Sequence, residues 1–317
     1  MKKFVILKSL NKLFLYRYCV NFVHKRTVLK NPELEINRIF VPVFGRKADL
    51  KNPRNLVEKI YWMQINGDLS EWTLLADKFR MREYVKSRGC ENYLPVLYNV
   101  WHSLDDLTKD SWEKLPMQFV IKANNGCGTV KVILDKTKVN FFKLKWTLRQ
   151  WLAIPYGYNG FQPHYLAIQP CIIAEELLKQ DSSLSLLSPN SMVDFKVWSF
   201  NGKPECILVT YNRHNNYHNI DLYDTQWKRL EFMLKKHSSV NISKEIVFPR
   251  PDCLDEMLSV ASKLSLGHPQ MRVDFYIVNG KPVLGELTMA SGVGSYTSEF
   301  YDYLGDLTDI SLMKLKK

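Results

Sequence analysis

The amino-acid sequence predicts an α+β fold in which short helices alternate with antiparallel β-hairpins. Two Asn-Gly pairs, at 201–202 and 279–280, each lie between apolar runs, which is the pattern of a β-hairpin. Residues 252–264, just before the second hairpin, carry apolar side chains at helical spacing. This order differs from the regular strand–helix–strand alternation of a doubly wound parallel sheet.

The remaining elements follow from apolar periodicity and from turn residues. The predicted helices cover residues 55–64, 77–88, 104–115 and 139–154. The predicted strands cover residues 94–100, 118–122, 129–135 and 171–178, and the first Asn-Gly hairpin covers 194–200 and 204–211. Loops are predicted at 123–128, 181–190 and 211–224.

The composition limits the class of protein. With 317 residues, of which 46% are hydrophobic and 24% charged, the chain predicts a folded protein of two or three lobes. Lys plus Arg number 44 and Asp plus Glu 32, and the resulting net charge of +12 favours anionic partners. Six cysteines without C-x-x-C spacing predict free thiols in a reducing compartment, and not a zinc site or a disulfide framework.

The N-terminal residues 1–30 mix Lys and Arg with Phe, Tyr and Leu. The apolar run at 4–7 is too short for a signal peptide, and no segment approaches the roughly 20 uncharged apolar residues of a membrane span. We interpret residues 1–30 as a basic packing helix, with peripheral contact to a membrane surface as the alternative.

The hairpin at 271–288 carries charged side chains in otherwise apolar strands. Arg272, Asp274 and Tyr276 share one face, because side chains alternate along a strand. The turn decides where Glu286 points. A two-residue turn at 279–280 would direct Glu286 to the face opposite Asp274.

A three-residue loop at the same place would instead pair Ile277 with Lys281. Glu286 would then lie across from Arg272 and diagonal to Asp274. Two carboxylates on one patch of a sheet repel each other, and a divalent cation relieves that repulsion. Hard oxygen ligands suit Mg²⁺.

Three further segments have features of a nucleotide site, and each has a plainer interpretation. Lys122 precedes a glycine-rich loop whose backbone N–H groups suit phosphate oxygens, although an ordinary hairpin with an exposed lysine explains the same pattern. This loop is not a Walker A motif. The apolar strand at 172–177 runs into Glu175 and Glu176, which suit an adenine edge and ribose hydroxyls, or form a solvated strand end.

The first Asn-Gly hairpin and the segment after it add cations. Asp194 and Lys196 share one strand face, where an ion pair on the sheet surface is the plainer interpretation. Arg213 follows in the polar segment, and a guanidinium group suits phosphate and carboxylate forks. Lone histidines such as His218 are more often structural than catalytic.

The order of these features, with a metal-binding hairpin last, resembles the ATP-grasp superfamily and more narrowly the TupA-like ATP-grasp family of polysaccharide biosynthesis proteins. The resemblance runs from about residue 60 to residue 307. The motifs that carry it are Leu75-Ala-Asp-Lys78, Arg82-Glu-Tyr-Val85, 122–129, 172–176, Asp194-Phe-Lys196, Phe200-Asn-Gly-Lys203, Tyr223-Asp224 with Trp227, Arg272-Val-Asp274, Gly285-Glu-Leu-Thr288 and Leu304-Gly-Asp306.

The resemblance implies an ATP-grasp fold, with two α+β lobes gripping ATP and an additional N-terminal α/β domain. The implied domains are an N-terminal domain at 1–105, a small lid lobe at 106–178, and a C-terminal lobe with the metal site at 179–317.

The resemblance also implies roles for individual residues. Those implied to bind the nucleotide are Lys78, Lys122, Asn125, Gly126, Cys127, Gly128, Thr129, Glu175, Glu176 and Leu177. Asp274, Glu286 and Thr288 are implied to hold Mg²⁺, with Thr288 where the superfamily more often has Asn. Lys196, Arg213 and Arg272 are implied to steady the transferring phosphate and the substrate carboxylate.

Two departures from the family pattern concern the acceptor substrate. After Thr288 the chain reads Met-Ala-Ser-Gly-Val-Gly, where a Thr-Pro-Gly-Gly-like turn is expected. Ile220 stands where a basic residue is expected. Both changes affect the identity of the substrate more than they affect ATP binding.

The implied activity is an ATP- and Mg²⁺-dependent carboxylate–amine ligase that acts through an acyl-phosphate. The implied substrates are an acidic sugar of a cell-surface glycan, linked to a nucleotide or a lipid, and an amino acid or amine. Alternatives are a glycosyltransferase, a phosphotransferase, or a nucleotide-binding module without turnover. No nucleic-acid motif is present, so we expect no nucleic-acid partner. We expect a cytoplasmic protein, with attachment to the inner face of the membrane left open.

Overall fold

The computed structural model describes residues 14–214, 217–237, 239–243 and 246–317. The chain divides into two compact units. The first unit comprises residues up to Ile39 with Asp77–Phe79 and Val96–Leu177, and the second comprises Phe40–Ala76, Arg80–Pro95 and Leu178–Lys317. The three lobes implied by the resemblance stay a prediction.

The helices and strands, in chain order, are short. The helices are α1 Phe14–Lys30, α2 Pro32–Phe44, α3 Leu56–Asn66, α4 Ser70–Ala76, α5 Met81–Ser87, α6 Lys109–Glu113, α7 Phe141–Ala153, α8 Ser182–Leu187, α9 Leu254–Ser265 and α10 Ser298–Leu307. The strands are β1 Leu97–Trp101, β2 Phe119–Ala123, β3 Val130–Ile133, β4 Ile172–Glu175, β5 Asp194–Phe200, β6 Lys203–His214, β7 Tyr217–Asp224, β8 Val240–Asn241, β9 Met271–Val278 and β10 Lys281–Thr288.

The first unit contains a four-stranded antiparallel sheet in the order β1-β4-β2-β3. Alternate residues of β2, Phe119 and Ile121, point into its core, where α7 adds Leu144 and Leu148. The other face of β2 and β3 carries Lys122, Val130 and other partly or fully exposed side chains. The sheet therefore has one buried face and one accessible face.

The second unit contains a six-stranded sheet in the order β10-β9-β5-β6-β7-β8, antiparallel except for the parallel pair β7-β8. Helix α9 packs against β5, β6 and β9 through its apolar stripe, which includes Met257, Ala261 and Leu264. Because α9 covers one face of the sheet, the charged side chains of β5 and β9 lie on the other.

Several predicted boundaries were wrong. Residues 181–190 contain α8 and are not entirely loop, and residues 217–224 form β7 because they pair with β6. The helix predicted at 77–88 begins only at Met81, since the Asp77 carboxylate accepts a hydrogen bond from Phe79 N at 2.9 Å in a turn. The helix predicted at 104–115 is restricted to α6.

The N-terminal helix is present from Phe14, and residues 1–13 of the predicted 1–30 segment lie outside the described residues. Tyr18, Phe22 and Val23 of α1 are exposed. In the part of the chain that the structure describes, no helix combines the length and the apolar character that crossing a bilayer requires.

Candidate functional site

The turn between β9 and β10 is a two-residue turn, so the predicted three-residue loop was wrong. Val278 pairs with Lys281, and Ile277 pairs with Pro282. Asn279 and Gly280 both have positive φ, 52° and 72°. This is the conformation of a type I′ turn, for which Asn-Gly is the preferred sequence.

A β-bulge at Gly285 nevertheless returns Glu286 to the face of Asp274. Leu284 pairs with Phe275 and Glu286 pairs with Asp274, so Gly285 is the extra residue. A Cβ at this position would lie 3.0 Å from the Tyr276 ring and 3.3 Å from the Asp274 carbonyl oxygen. The close approach explains why glycine occupies the bulge. Glu286 therefore lies directly across from Asp274 and not diagonal to it, as the three-residue loop had predicted.

Asp274 is buried and held by two cations. The Arg272 guanidinium donates from Nε to Oδ1 at 2.7 Å and from Nη2 to Oδ2 at 2.8 Å, which is a bidentate pair. Lys196, on the neighbouring strand β5 and directly opposite Asp274 in the register, also donates to Oδ2. Burial alone would lower the pKa of Arg272, but the Asp274 carboxylate outweighs it and raises that pKa above its ordinary value.

The same guanidinium reaches β10. Arg272 Nη2 donates to Glu286 Oε1 at 3.3 Å and to Thr288 Oγ1 at 3.2 Å, and the Thr288 hydroxyl also lies 3.2 Å from Glu286 Oε1. The side chain of Glu286 is 43% exposed, whereas that of Asp274 is 3% exposed. One of the two carboxylates is thus buried and fixed, and the other is accessible to a ligand.

The charge network continues across β5 to β6. Lys196 Nζ donates to Asp194 Oδ2 at 2.5 Å, and Arg213 Nη2 donates to the same oxygen at 2.7 Å. Burial opposes the charge of Arg213, but Asp194 holds its pKa above the ordinary value. The charge on Asp194 also raises the pKa of the nearby Tyr276 phenol, and burial adds to this shift. Three cations and three carboxylates therefore alternate along one face of the sheet.

This face has the donor chemistry that Mg²⁺ bound to a nucleotide requires. Among the described residues, no group of three or more His, Cys, Asp or Glu side chains could hold a metal by itself. Asp274, Glu286 and Thr288 offer hard oxygen ligands from two adjacent strands. Mg²⁺ commonly takes only one or two protein carboxylates and completes its shell with water and phosphate oxygens. The residues therefore fit a magnesium–nucleotide complex better than a free ion.

In the first unit, two lysines lie at the glycine loop, residues 124–129. Lys122 Nζ lies 2.5 Å from Glu175 Oε2, which is buried on the neighbouring strand β4. Lys78 Nζ donates to the Gly126 carbonyl oxygen at 2.6 Å, and Lys78 N donates to Asn124 O at 3.0 Å. The structure thus brings both predicted phosphate-binding lysines to the loop and its supporting sheet.

The conformation of the glycine loop depends on its two glycines. Gly126 and Gly128 have φ values of 74° and 76°, a region that other residues rarely adopt. A Cβ on Gly126 would lie 2.6 Å from the Tyr156 ring, whereas one on Gly128 would meet nothing within 4 Å. Cys127 between them is exposed, and the Thr129 hydroxyl donates to Asn125 O at 3.5 Å.

The predicted hinge residues follow β4. Glu176 N donates to Val96 O at 2.9 Å, and Glu176 Oε2 accepts from Val96 N at 3.3 Å, so this carboxylate is tied to the backbone before β1. Leu177 is the last residue of the first unit. Of the two glutamates, Glu175 is buried, and its pairing with Val120 places it on the accessible face of the sheet together with Lys122.

Sequence reasoning missed a cavity of about 330 Å³ beside the charge network in the second unit. It is lined by Lys196, Leu208, Thr210, Arg213, His218, Ile220, His237, Val240, Arg272, Ser291, Gly292, Val293, Ser295 and Tyr296. The signal that was available is the alternation in β7, where His218, Ile220 and Leu222 occupy every second position.

Comparison with known protein families identifies the closest pattern directly from the sequence. A family model described as TupA-like ATPgrasp matches residues 58–309, which is well over half of the chain. The matched range contains all of the residues predicted here to bind the nucleotide, the metal or the substrate. A comparison with curated proteins found no match.

Solved structures with a similar arrangement include ligases. A D-alanine–D-alanine ligase from Bacillus anthracis complexed with ATP is 16% identical, with 77% of this chain and 67% of that chain covered and a TM-score of 0.46. A D-alanine–D-alanine ligase from Helicobacter pylori is 12% identical, with 74% and 62% covered and a TM-score of 0.40. An L-amino acid ligase from Bacillus licheniformis is 16% identical, with 86% and 55% covered and a TM-score of 0.39. Likenesses this low say nothing about the substrate.

Proposed function

This chain belongs to the TupA-like ATP-grasp family and is an ATP-grasp ligase, and from this premise we propose that it activates a carboxylate with ATP and joins it to an amine. The family match confirms the predicted family, the predicted α+β ATP-grasp fold and the predicted enzyme class. The acidic sugar, the amine and the metal are the parts of the proposal that go beyond the family.

The observation that carries the proposal is the shared contact of Arg272 with Asp274 and Glu286. Because one guanidinium touches both carboxylates, their oxygens converge on a single place on the sheet face. Convergent carboxylates are costly unless a cation compensates them. In the absence of nucleotide Arg272 supplies that charge, and the same carboxylates suit Mg²⁺ when nucleotide brings its phosphates.

We propose that Asp274 and Glu286 hold Mg²⁺, with Thr288 as a third oxygen donor. When bound, Mg²⁺ neutralises charge on the phosphates of ATP. Lys196 orients Asp274, because its ammonium group lies between Asp274 and Asp194. The protein supplies no nucleophile in this scheme. Its contribution is to position the reactants and to stabilise negative charge.

The proposed first step is attack of the substrate carboxylate on the γ-phosphate of ATP, which forms an acyl-phosphate and ADP. Lys196, Arg213 and Arg272 all line the cavity beside the charge network. Their positive charges attract the substrate carboxylate and stabilise the phosphoryl group during transfer. In the proposed second step, an amine displaces phosphate from the acyl group and forms the amide.

We propose that the nucleotide binds through the first unit. Lys78 and Lys122 would contact its phosphates, with the glycine loop 124–129 covering them and 175–177 contacting adenine and ribose. The exposed apolar side chains of Val130 and Val132 support this assignment, because they share the sheet face of Lys122 and suit a flat purine ring.

The proposed substrate is an acidic sugar, such as a uronic acid of a capsule or O-antigen polysaccharide, linked to a nucleotide or a lipid. The amine would come from an amino acid or a small amine. The net charge of +12 supports an anionic glycan substrate. We place the reaction in the cytoplasm, where ATP is available, with the inner face of the membrane as the site if the glycan is lipid-linked.

The test is to incubate the protein with ATP, Mg²⁺, a pool of uronic acids and a pool of amino acids. ADP release and the mass of the products are measured. The proposal predicts ADP together with an amide. A stable phosphorylated sugar would indicate a phosphotransferase, and consumption of a sugar nucleotide without ADP would indicate a glycosyltransferase.

The Glu286→Gln variant tests the metal assignment in the same assay. We expect ADP release to fall by about 10²-fold or more, because a carboxylate that compensates the metal becomes a neutral amide. The unfolding midpoint should stay the same, since Glu286 is partly exposed and glutamine keeps its size. Glu299→Gln, an exposed glutamate at the start of α10, is the matched control. A Glu286→Gln enzyme with near wild-type turnover would show that the assignment is wrong.

A further inference from the structure

The cavity beside the charge network is strongly positive. Lys196, Arg213 and Arg272 line it, and none of the described residues that line it is Asp or Glu. Such a surface holds an anion, but it repels the protonated form of an amine. Under the proposed function the second reactant is an amine, which at neutral pH carries a proton that it must lose before it can attack.

Few groups in this cavity are able to take that proton. The hydroxyl of Tyr296 is no base at neutral pH, because burial raises its pKa well above the ordinary value for tyrosine. The lysine and the two arginines are already protonated. The described residues that line the cavity leave two imidazoles, His218 and His237.

His218 is the better placed of the two. It precedes Ile220 by two residues, and Ile220 pairs with Thr210, which pairs with Asp194. His218 therefore lies on the sheet face that carries the charge network. Its backbone is fixed by the bond from His218 N to Ser239 O at 3.2 Å. His237, in contrast, is exposed, and its Nδ1 lies 3.3 Å from the Ser239 hydroxyl.

The His218 ring has no structural partner that would explain its position. It is half-buried, yet it forms no hydrogen bond or ion pair with any of the residues that the structure describes. A half-buried imidazole without a partner is open to a ligand in the cavity.

We propose that His218 is the general base that deprotonates the amine nucleophile. This inference rests on the proposed ligase function, and it adds a catalytic residue that the family pattern did not supply.

The electrostatic surroundings support the assignment. Burial lowers the pKa of His218, and the positive charges of Arg213, His237 and Lys196 lower it further. The imidazole is therefore neutral at pH 7 and able to accept a proton. The same cations lower the pKa of a bound amine, because they disfavour its ammonium form. Both effects favour transfer of the proton from the amine to His218.

The proposed step balances as follows. The ammonium group of the substrate gives one proton to an imidazole nitrogen of His218. The freed lone pair forms the C–N bond at the acyl carbon, and the C–O bond to phosphate breaks with its electron pair leaving on phosphate. The second N–H proton goes to the departing phosphate, which leaves as hydrogen phosphate. The imidazolium then releases its proton to solvent.

Hydroxylamine separates this step from the activation of the carboxylate, because it is unprotonated at neutral pH and needs no base. The experiment compares wild type, His218→Gln and His214→Gln in two reactions with ATP, Mg²⁺ and a pool of uronic acids. One reaction contains hydroxylamine and is scored as hydroxamate. The other contains a pool of amino acids and is scored as amide. His214 is an exposed neighbour at the end of β6, outside the cavity lining, and is the matched control.

We expect His218→Gln to lower amide formation by about 10²-fold, the usual contribution of general acid–base catalysis, and to change hydroxamate formation by less than about 3-fold. Its residual amide formation should rise with pH as more amine is deprotonated in solution. His214→Gln should resemble wild type in both reactions.

Other results overturn the inference. Equal loss of both products in His218→Gln would show a structural or substrate-binding role, and no loss of either would show that His218 takes no part. Loss of amide in His237→Gln and not in His218→Gln would assign the base to His237. If wild type forms no hydroxamate with any acid of the pool, carboxylate activation itself is absent, and the proposed function fails together with the inference.

An NMR titration of the histidine rings in the free protein is independent of any substrate. We expect the His218 ring to titrate below the ordinary value of about 6.5 and to move upward in Arg213→Gln. A His218 ring that titrates above 7 would be protonated at neutral pH, which would overturn the inference.

Discussion

Replacing Arg272 with alanine should destabilise the second unit by about 3–5 kcal/mol. The side chain of Arg272 is 12% exposed, and its fork bonds Asp274 at 2.7 and 2.8 Å. Removing one partner of a buried ion pair leaves the other charge uncompensated, and this costs about 3–5 kcal/mol. Since Lys196 still contacts Asp274, we expect a value near the lower end of that range.

The matched control is Arg250→Ala. Arg250 contacts Asp255 at 2.6 Å, but their side chains are 43% and 78% exposed, and an exposed pair contributes about 0–1 kcal/mol. Equilibrium unfolding in urea gives the free energy of unfolding of each variant. The double variant Arg272→Ala/Asp274→Ala should be destabilised by less than the sum of its single variants, because it leaves no unpaired charge. If Arg272→Ala costs no more than Arg250→Ala, the charge network does not stabilise the fold.

Three further predictions concern single positions. Gly285→Ala should lower stability by about 1–3 kcal/mol in urea unfolding and reduce ADP release, because the added methyl group leaves no room for the bulge that aligns the two carboxylates; unchanged values would contradict this. Gly126→Ala should weaken ATP binding in calorimetry about 10-fold more than Gly128→Ala, since both strain a positive φ but only the first collides with the Tyr156 ring; equal effects would rule the collision out. His164 is buried, and burial lowers its pKa to about 3, so the unfolded chain binds one more proton as the pH falls below about 6.5. Between pH 7 and pH 5 wild type should therefore lose about 2 kcal/mol more stability than His164→Leu, and parallel pH profiles would contradict this.

The second hairpin shows how far local sequence signals reach. The Asn-Gly turn and the apolar runs predicted its strands, and the face shared by Arg272 and Asp274 follows from strand geometry alone. The turn type was wrong, yet Glu286 still lies on the expected face, because Gly285 adds a bulge. A glycine inside a strand is a known signal of a bulge, so this feature was open to prediction.

The charge network itself was not predictable from local patterns. Lys196 meets Asp274 only because β5 pairs with β9, and 78 residues separate the two in the chain. Strand β7 was missed for a related reason: His218, Asn219 and Asp221 make it polar, and its pairing with β6 decides its structure. The cavity and its imidazole follow from these non-local pairings, and so the residue types alone did not indicate them.

A crystal structure of the protein with Mg²⁺ and a non-hydrolysable ATP analogue tests the central claim most directly. We predict a magnesium ion with oxygen atoms of both Asp274 and Glu286 at about 2.1 Å, and with phosphate oxygens completing its shell. A nucleotide bound with its metal away from both carboxylates, while Arg272 still bridges them, would contradict the account.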